Sequence, residues 1–107
     1  MTGNIAKWIE KIAGDEAIEA VVIGEHDRGA RPDDPINRVI TWKEARPILD
    51  YDFESNYGSA GCHPVFAWTA TKIITIHEYD GETGPTWYPR HPVDVRPYFD
   101  GVLEDWA

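Results

Sequence analysis

The run from Lys72 to Asp80, KIITIHEYD, constrains the fold more than any other part of the chain. Ile73, Ile74, Thr75 and Ile76 are all β-branched, and such residues sit easily on a pleated surface and crowd the turns of a helix. Asp80-Gly81-Glu82-Thr83-Gly84 follows directly and reads as a hairpin turn. Thr86 to Tyr88 is then the return strand, and Pro89 and Pro92 place it at an edge or mark its end. Upstream, Val65 to Ala70 reads as another strand, with Phe66 and Trp68 on one side and Val65, Ala67 and Thr69 on the other.

The first half of the chain supplies the cover for this sheet. Ile5, Trp8, Ile9 and Ile12 recur at helical spacing, so residues 4–13 are expected to form an amphipathic helix. Asn4 or Thr2 can cap its start, and Gly14 can end it in a left-handed turn. Residues 18–25, IEAVVIGE, read as a strand whose unbroken β-branched run implies burial on both faces. Residues 26–40 read as a long loop broken by Gly29, Pro32 and Pro35. Thr41 and Glu44 form a capping box, but Pro47 disfavours helix at Arg46, so little more than one helical turn is expected there. In residues 48–54, ILDYDFE, the alternation predicts a strand with Asp50, Asp52 and Glu54 on one face. The tail has the makings of a short helix after Pro97, anchored by Tyr98, Val102 and Leu103 and weakened by Gly101. The whole chain, residues 1–107, is expected to be one α+β domain. Its core would be a mainly antiparallel sheet of about four strands with the N-terminal helix packed on one face.

Charge narrows the function. Nineteen acidic residues against ten basic ones give a net charge of −9. Such a surface repels nucleic acid and attracts a basic partner; it also serves simply to keep a small protein in solution. Only the segment from Arg28 to Pro47 is locally basic, with Arg28, Arg31 and Arg38 available to pair with carboxylates elsewhere. The first residues, MTGNIAKWIEKIAG, lack the apolar core of a secretory leader, and no run reaches the ~20 apolar residues of a membrane span. With a single cysteine, a reducing cytoplasm is the expected setting.

Three constellations could carry function. Two carboxylate runs, Asp50/Asp52/Glu54 and Glu78/Asp80/Glu82, would present like charges about 7 Å apart along strands. Such rows read as a solvated face, as a surface for a basic partner that can imitate a row of phosphates, or as oxygen ligands for Mg²⁺ or Ca²⁺, although no calcium-loop spacing accompanies them. Cys62 and His63, with His77 and His91, are the residue types of a zinc or thiol site, but their adjacency does not match a metal-ligand spacing. Cys62 alone reads as a small buried apolar residue. Among the aromatics Tyr57, Trp87, Tyr88, Tyr98 and Trp106, the successive Trp87 and Tyr88 must point to opposite faces of a strand. An exposed Trp87 beside carboxylates has the composition of a protein-binding hot spot. The phosphate-binding loop, G-x-G-x-x-G, G-x-S-x-G and H-E-x-x-H motifs do not occur.

The acidic DYDFE, the glycine-rich loop ending in Cys62-His63, Ala67-Trp68-Thr69 and Tyr79-Asp80-Gly81 together resemble a type of small protein of phage and actinobacterial genomes. That resemblance implies a phage-encoded accessory protein of the kind that occludes host defence or nucleic-acid enzymes, as anti-CRISPR proteins do. The leading expectation is therefore a non-catalytic acidic protein, without cofactor, that engages a basic, nucleic-acid-binding protein as inhibitor or nucleic-acid mimic. A small metal protein or enzyme built on Cys62, His63, His77 and nearby carboxylates and a self-assembling module built on the tryptophans are the alternatives.

Overall fold

The computed structural model describes residues 2–26, 34–55, 58, 60–79 and 82–104. Asp80 and Gly81 of the expected turn, Arg28 and Arg31 of the basic loop, Tyr57 and Trp106 lie outside them. The fold is α+β. Its centre is a five-stranded antiparallel sheet built from β2 (Ala20–Ile23), β3 (Val39–Ile40), β5 (Val65–Trp68), β6 (Lys72–Tyr79) and β7 (Glu82–Pro89), in the order β3-β2-β5-β6-β7. Two small antiparallel pairings join it: the long-range pair β1 (Thr2–Gly3) with β4 (Phe53–Glu54), and the hairpin β8 (Pro97–Tyr98) with β9 (Gly101–Val102).

Register divides the sheet into two faces. Ile40, Val21, Ala67, Ile74 and Trp87 align across the strands and are all buried, as is the neighbouring row Ile23 and Val65. This face carries both helices, α1 (Ile5–Ala13) against β6 and β7 and α2 (Trp42–Leu49) against β2 and α1. Ile5, Ile9 and Ile12 of α1 and Ala45 and Leu49 of α2 complete the core. The alternate residues Val22, Phe66, Trp68, Ile73 and Tyr88 point the other way and are only partly covered. β2 is therefore buried on one face, not on both as its composition implied: Val22 falls on the side without helices.

α1 forms as its periodicity predicts. Asn4 caps it by accepting the Lys7 amide at 3.1 Å, and Gly14 ends it at φ +61°, its amide bonded to Glu10. α2 departs from expectation. The capping box is present, with Thr41 and Glu44 exchanging amide bonds of 3.2 Å, but the helix runs eight residues with Pro47 inside it. Tertiary anchoring outweighs the proline penalty: Ala45 and Leu49 are fully buried, and Arg46 grips Glu10 of α1 through two bonds of 3.1 and 3.2 Å and Asp50 at 3.0 Å.

β7 is an edge strand whose outward side is largely blocked to another strand. Arg90 N–H donates inward to Thr71, so the odd-numbered residues face outward by the alternation of the ladder. Of these, Pro85 and Pro89 have no N–H to donate. Thr83 is capped by Ser55, whose Oγ accepts its amide at 2.7 Å and donates to its carbonyl at 2.8 Å. The strand extends to Glu82, beyond the Thr86 to Tyr88 expected from sequence, because prolines whose nitrogens face outward break no bond to β6. Gly84 lies opposite His77, whose Nε2 would stand 2.9 Å from an added Cβ.

The tail is a hairpin where a helix was expected. Gly101 adopts φ +125° and packs its bare Cα on Thr86, while Thr86 Oγ1 donates to the Asp100 carbonyl at 2.6 Å. A side chain at 101 would collide with both Thr86 and the Trp87 carbonyl, so the turn conformation is fixed by its docking site.

The loop between α1 and β2 is held by Glu16. Its carboxylate accepts from the Thr71 amide at 3.0 Å and hydroxyl at 2.7 Å and lies 3.7 Å from Lys72 Nζ. Hydrogen bonds from Thr71 first, then from Thr69, with the charge of Lys72, lower its pKa to about 2. Because the folded pKa lies below the unfolded value of 4.5, this contribution is complete above that value and is lost as pH falls toward about 2. Urea midpoints measured from pH 6 to pH 2 should therefore converge between the parent and Glu16→Gln as the pH drops, with the parent ahead only at the upper end.

Candidate functional site

The two carboxylate rows do not form. Asp50 ends α2, and the strand that follows is only Phe53–Glu54, so the first run is not a strand face. Asp50 and Asp52 instead converge on one donor: Asn4 Nδ2 gives hydrogen bonds of 3.1 and 3.0 Å to them. Asn4 is thus at once the cap of α1 and the clamp on this acidic corner. Its bond, followed by that of Arg46, holds the Asp50 carboxyl below the usual carboxylate range. Glu54 accepts from Thr2 Oγ1 at 3.2 Å across the β1–β4 pairing. These three carboxylates serve the fold. In the second run, Glu78 pairs with Thr83 and Glu82 with Tyr79, which puts Glu78 on the helix side of the sheet and Glu82 on the other. Asp80 lies outside the described residues.

Trp87 is likewise not the exposed aromatic. It is 9% exposed, beneath α1, with Lys72 Nζ 5.2 Å from its ring centre, and its Nε1 has no acceptor among the described residues. Its neighbour Tyr88 takes the exposed position.

The aromatic surface lies on the sheet face that the helices leave open. Val39 and Tyr88 are exposed there, and Phe66 is 52% exposed. Phe66 and Trp68 stack along β5 with ring centres 6.1 Å apart. The β8–β9 hairpin borders this face at Thr86 and holds out Tyr98 and Phe99, the latter 97% exposed, as an edge-to-face pair 5.4 Å apart. A groove of about 430 Å³ runs along Val22, Phe66, Thr75 and Pro64 at one end of the face. His77 stands near the hairpin, its Nδ1 3.7 Å from an Asp100 carboxylate oxygen.

A second concavity, about 470 Å³, opens on the helix side of the sheet near the β6–β7 turn. Cys62, His63, Glu78 and Thr83 line it together with His26, which sequence reasoning had passed over. Cys62, the one cysteine of the chain, is buried, matching the small apolar residue its composition allowed. His63 is 3% exposed. The Tyr51 hydroxyl accepts the His63 amide at 2.9 Å and meets His63 Nδ1 at 2.7 Å. His26 Nε2 donates to the Ala60 carbonyl at 2.8 Å, since a carbonyl can only accept. The two rings stand 5.5 Å apart.

The four residues considered for a metal do not meet. His77 points to the opposite face of the sheet from the cavity that holds Cys62 and His63. His91 follows the far end of β7, roughly 20 Å from the turn by the rise of a strand. Among the described residues no three His, Cys, Asp or Glu side chains are grouped so as to hold one metal ion. Nor, among them, is any helix long and apolar enough to cross a membrane. Comparison with protein-family models, curated proteins and solved structures finds no match to this chain.

Proposed function

We propose that the chain is a non-catalytic binding protein that seats a basic protein partner on the open face of its sheet, in the manner of an inhibitor of a nucleic-acid-binding protein. The observation that carries this reading is the exposed apolar and aromatic surface of Val39, Phe66, Tyr88, Tyr98 and Phe99 on the side without helices. Exposed apolar and aromatic residues gathered on one face mark interaction sites, and aromatic anchors dominate binding energy where they occur. Charge selects the class of partner. A second copy would bring −9 against −9, whereas a basic protein would be drawn in and released by salt. The blocked edge at β7 argues against strand addition there and for side-chain packing on the face.

In this reading the carboxylates steer the approach and do not imitate a phosphate row, since neither run is regular. The setting is a reducing cytoplasm, and a phage-type accessory role would place the partner among host defence or nucleic-acid enzymes. Immobilised protein should retain the partner from a bacterial lysate at low salt and release it as salt rises. Phe66→Asp, at a position already half exposed, should keep the parent's circular dichroism and lower retention by about tenfold or more. Equal retention by the variant would remove the open face from consideration.

A further inference from the structure

One row of the open face has a spacing that matches a particular backbone. Trp68, Ile73 and Tyr88 align across β5, β6 and β7, with Trp68 opposite Ile73 and Ile73 opposite Tyr88. Two aromatic side chains therefore stand two strands apart with an aliphatic floor between them. Two strand spacings make about 9.5 Å. A bound strand repeats a side chain on one face every ~6.7 Å, and an α-helix completes a turn every ~5.4 Å. A polyproline II helix, with three residues per turn and a rise of ~3.1 Å, repeats every ~9.3 Å. Of the three, only the last sets successive like-facing side chains over both rings. Its carbonyls have no internal partner and take donors from outside. Trp68 Nε1–H and the Tyr88 hydroxyl are such donors, and among the described residues neither has a hydrogen-bond partner. Arg90, two residues after Tyr88, spends its charge on Glu19 at 2.8 Å and on the Thr69 carbonyl at 2.7 Å. With that cation neutralised and a net charge of −9, the incoming segment is favoured when it is basic.

We propose that the row Trp68, Ile73 and Tyr88 binds a proline-rich, basic segment of the partner protein, laid across the strands as a polyproline II helix. Residues i and i+3 of that segment sit on the two rings. The proposal rests on the open-face reading and specifies its ligand as a P-x-x-P segment flanked by arginine or lysine. The pyrrolidine rings pack on Trp68 and Tyr88, and the segment's carbonyls accept the indole and phenol hydrogens. Little chain entropy is lost, because this helix is formed before it binds. Phe66, its ring centre 6.1 Å from that of Trp68, extends the platform along β5.

Three synthetic peptides with the same flanking arginines isolate the spacing. One has prolines three residues apart, one has prolines two residues apart, and one has alanine in place of both prolines. Titrated into isotope-labelled protein, the first should move the Trp68 indole N–H signal saturably, and the other two should bind about tenfold more weakly. Tyr88→Ala, at a position 43% exposed, should keep the parent's circular dichroism and weaken the first peptide about tenfold. An unmoved Trp68 signal, equal binding by the two proline spacings, or full binding by Tyr88→Ala would each overturn the proposal. Binding of the alanine peptide as tight as that of the first would also overturn it, and would assign the row to a helical segment. If Phe66→Asp still lowers retention from lysate in any of these cases, the open face stands and only the polyproline ligand falls.

Discussion

Asn4→Asp is expected to cost about 3 kcal/mol of folding stability at neutral pH, more than the loss of a helix cap alone. The side chain of Asn4 is 93% removed from solvent in effect, being only 7% exposed, and uses both ends. Its oxygen accepts the Lys7 amide and its nitrogen bonds both Asp50 and Asp52. Aspartate preserves the cap oxygen, removes both donor bonds and brings a third carboxylate against two. Asn4→Ser separates the roles, since serine also caps and adds no charge; its cost should be nearer 1 kcal/mol. The sign of the pH effect follows. A carboxyl at position 4 beside two others has its folded pKa raised above the ordinary value of about 4, so the deficit of Asn4→Asp should shrink as pH falls from neutral through that raised pKa toward about 4. Urea unfolding of the three proteins at pH 7 and pH 4 checks this. Equal midpoints for the serine and aspartate variants would show that Asp50 and Asp52 do not repel a third carboxylate at this corner.

Ile74→Ala should be more damaging still, by about 3–5 kcal/mol. Ile74 has no exposed surface, lies in the central row with Val21, Ala67 and Trp87, and is covered by α1. A domain of this size has about 5–15 kcal/mol in total, so the variant should be partly unfolded at 37 °C. Ile73→Ala, one residue away on the open face, should cost about 1 kcal/mol. Thermal melts of the pair measure the asymmetry of the sheet directly, and similar losses at both positions would contradict the division into a covered and an open face.

That division was half legible in the sequence. Alternation in Val65–Trp68 separates Phe66 and Trp68 from Val65 and Ala67, as found. Alternation also requires Trp87 and Tyr88 to oppose one another, but composition pointed to the wrong one as exposed. The signal that decides it is the length of the turn. Counting back from the register Tyr79 opposite Glu82 sets Ile74 against Trp87 and Ile73 against Tyr88, and it also parts Glu78 from Glu82. A turn assigned five residues loses that count.

Other features depended on contacts between distant segments. Pro47 reads locally as a stop, and only the burial of Leu49 and the grip of Arg46 on Glu10 explain the helix that contains it. Asp50 and Asp52 look like a charged strand face until Asn4, 46 residues earlier than the first of them, is placed between them. His26 joins Cys62 and His63 because β2 pairs antiparallel with β5, Ile23 opposite Val65, which brings the residues after one strand beside those before the other. Strand order is the quantity that sequence pattern did not supply, and the cavity exists only through it.

The central claim is that recognition uses the open face and not the carboxylate runs. Hydroxyl-radical footprinting of the chain, alone and saturated with the captured partner, tests it most directly. The account expects protection at Phe66, Tyr88, Tyr98 and Phe99, with oxidation of Tyr51 and Phe53, beside Asp50, Asp52 and Glu54, unchanged. Protection confined to Tyr51 and Phe53, with Phe66 and Tyr88 oxidised as in the free protein, would contradict it.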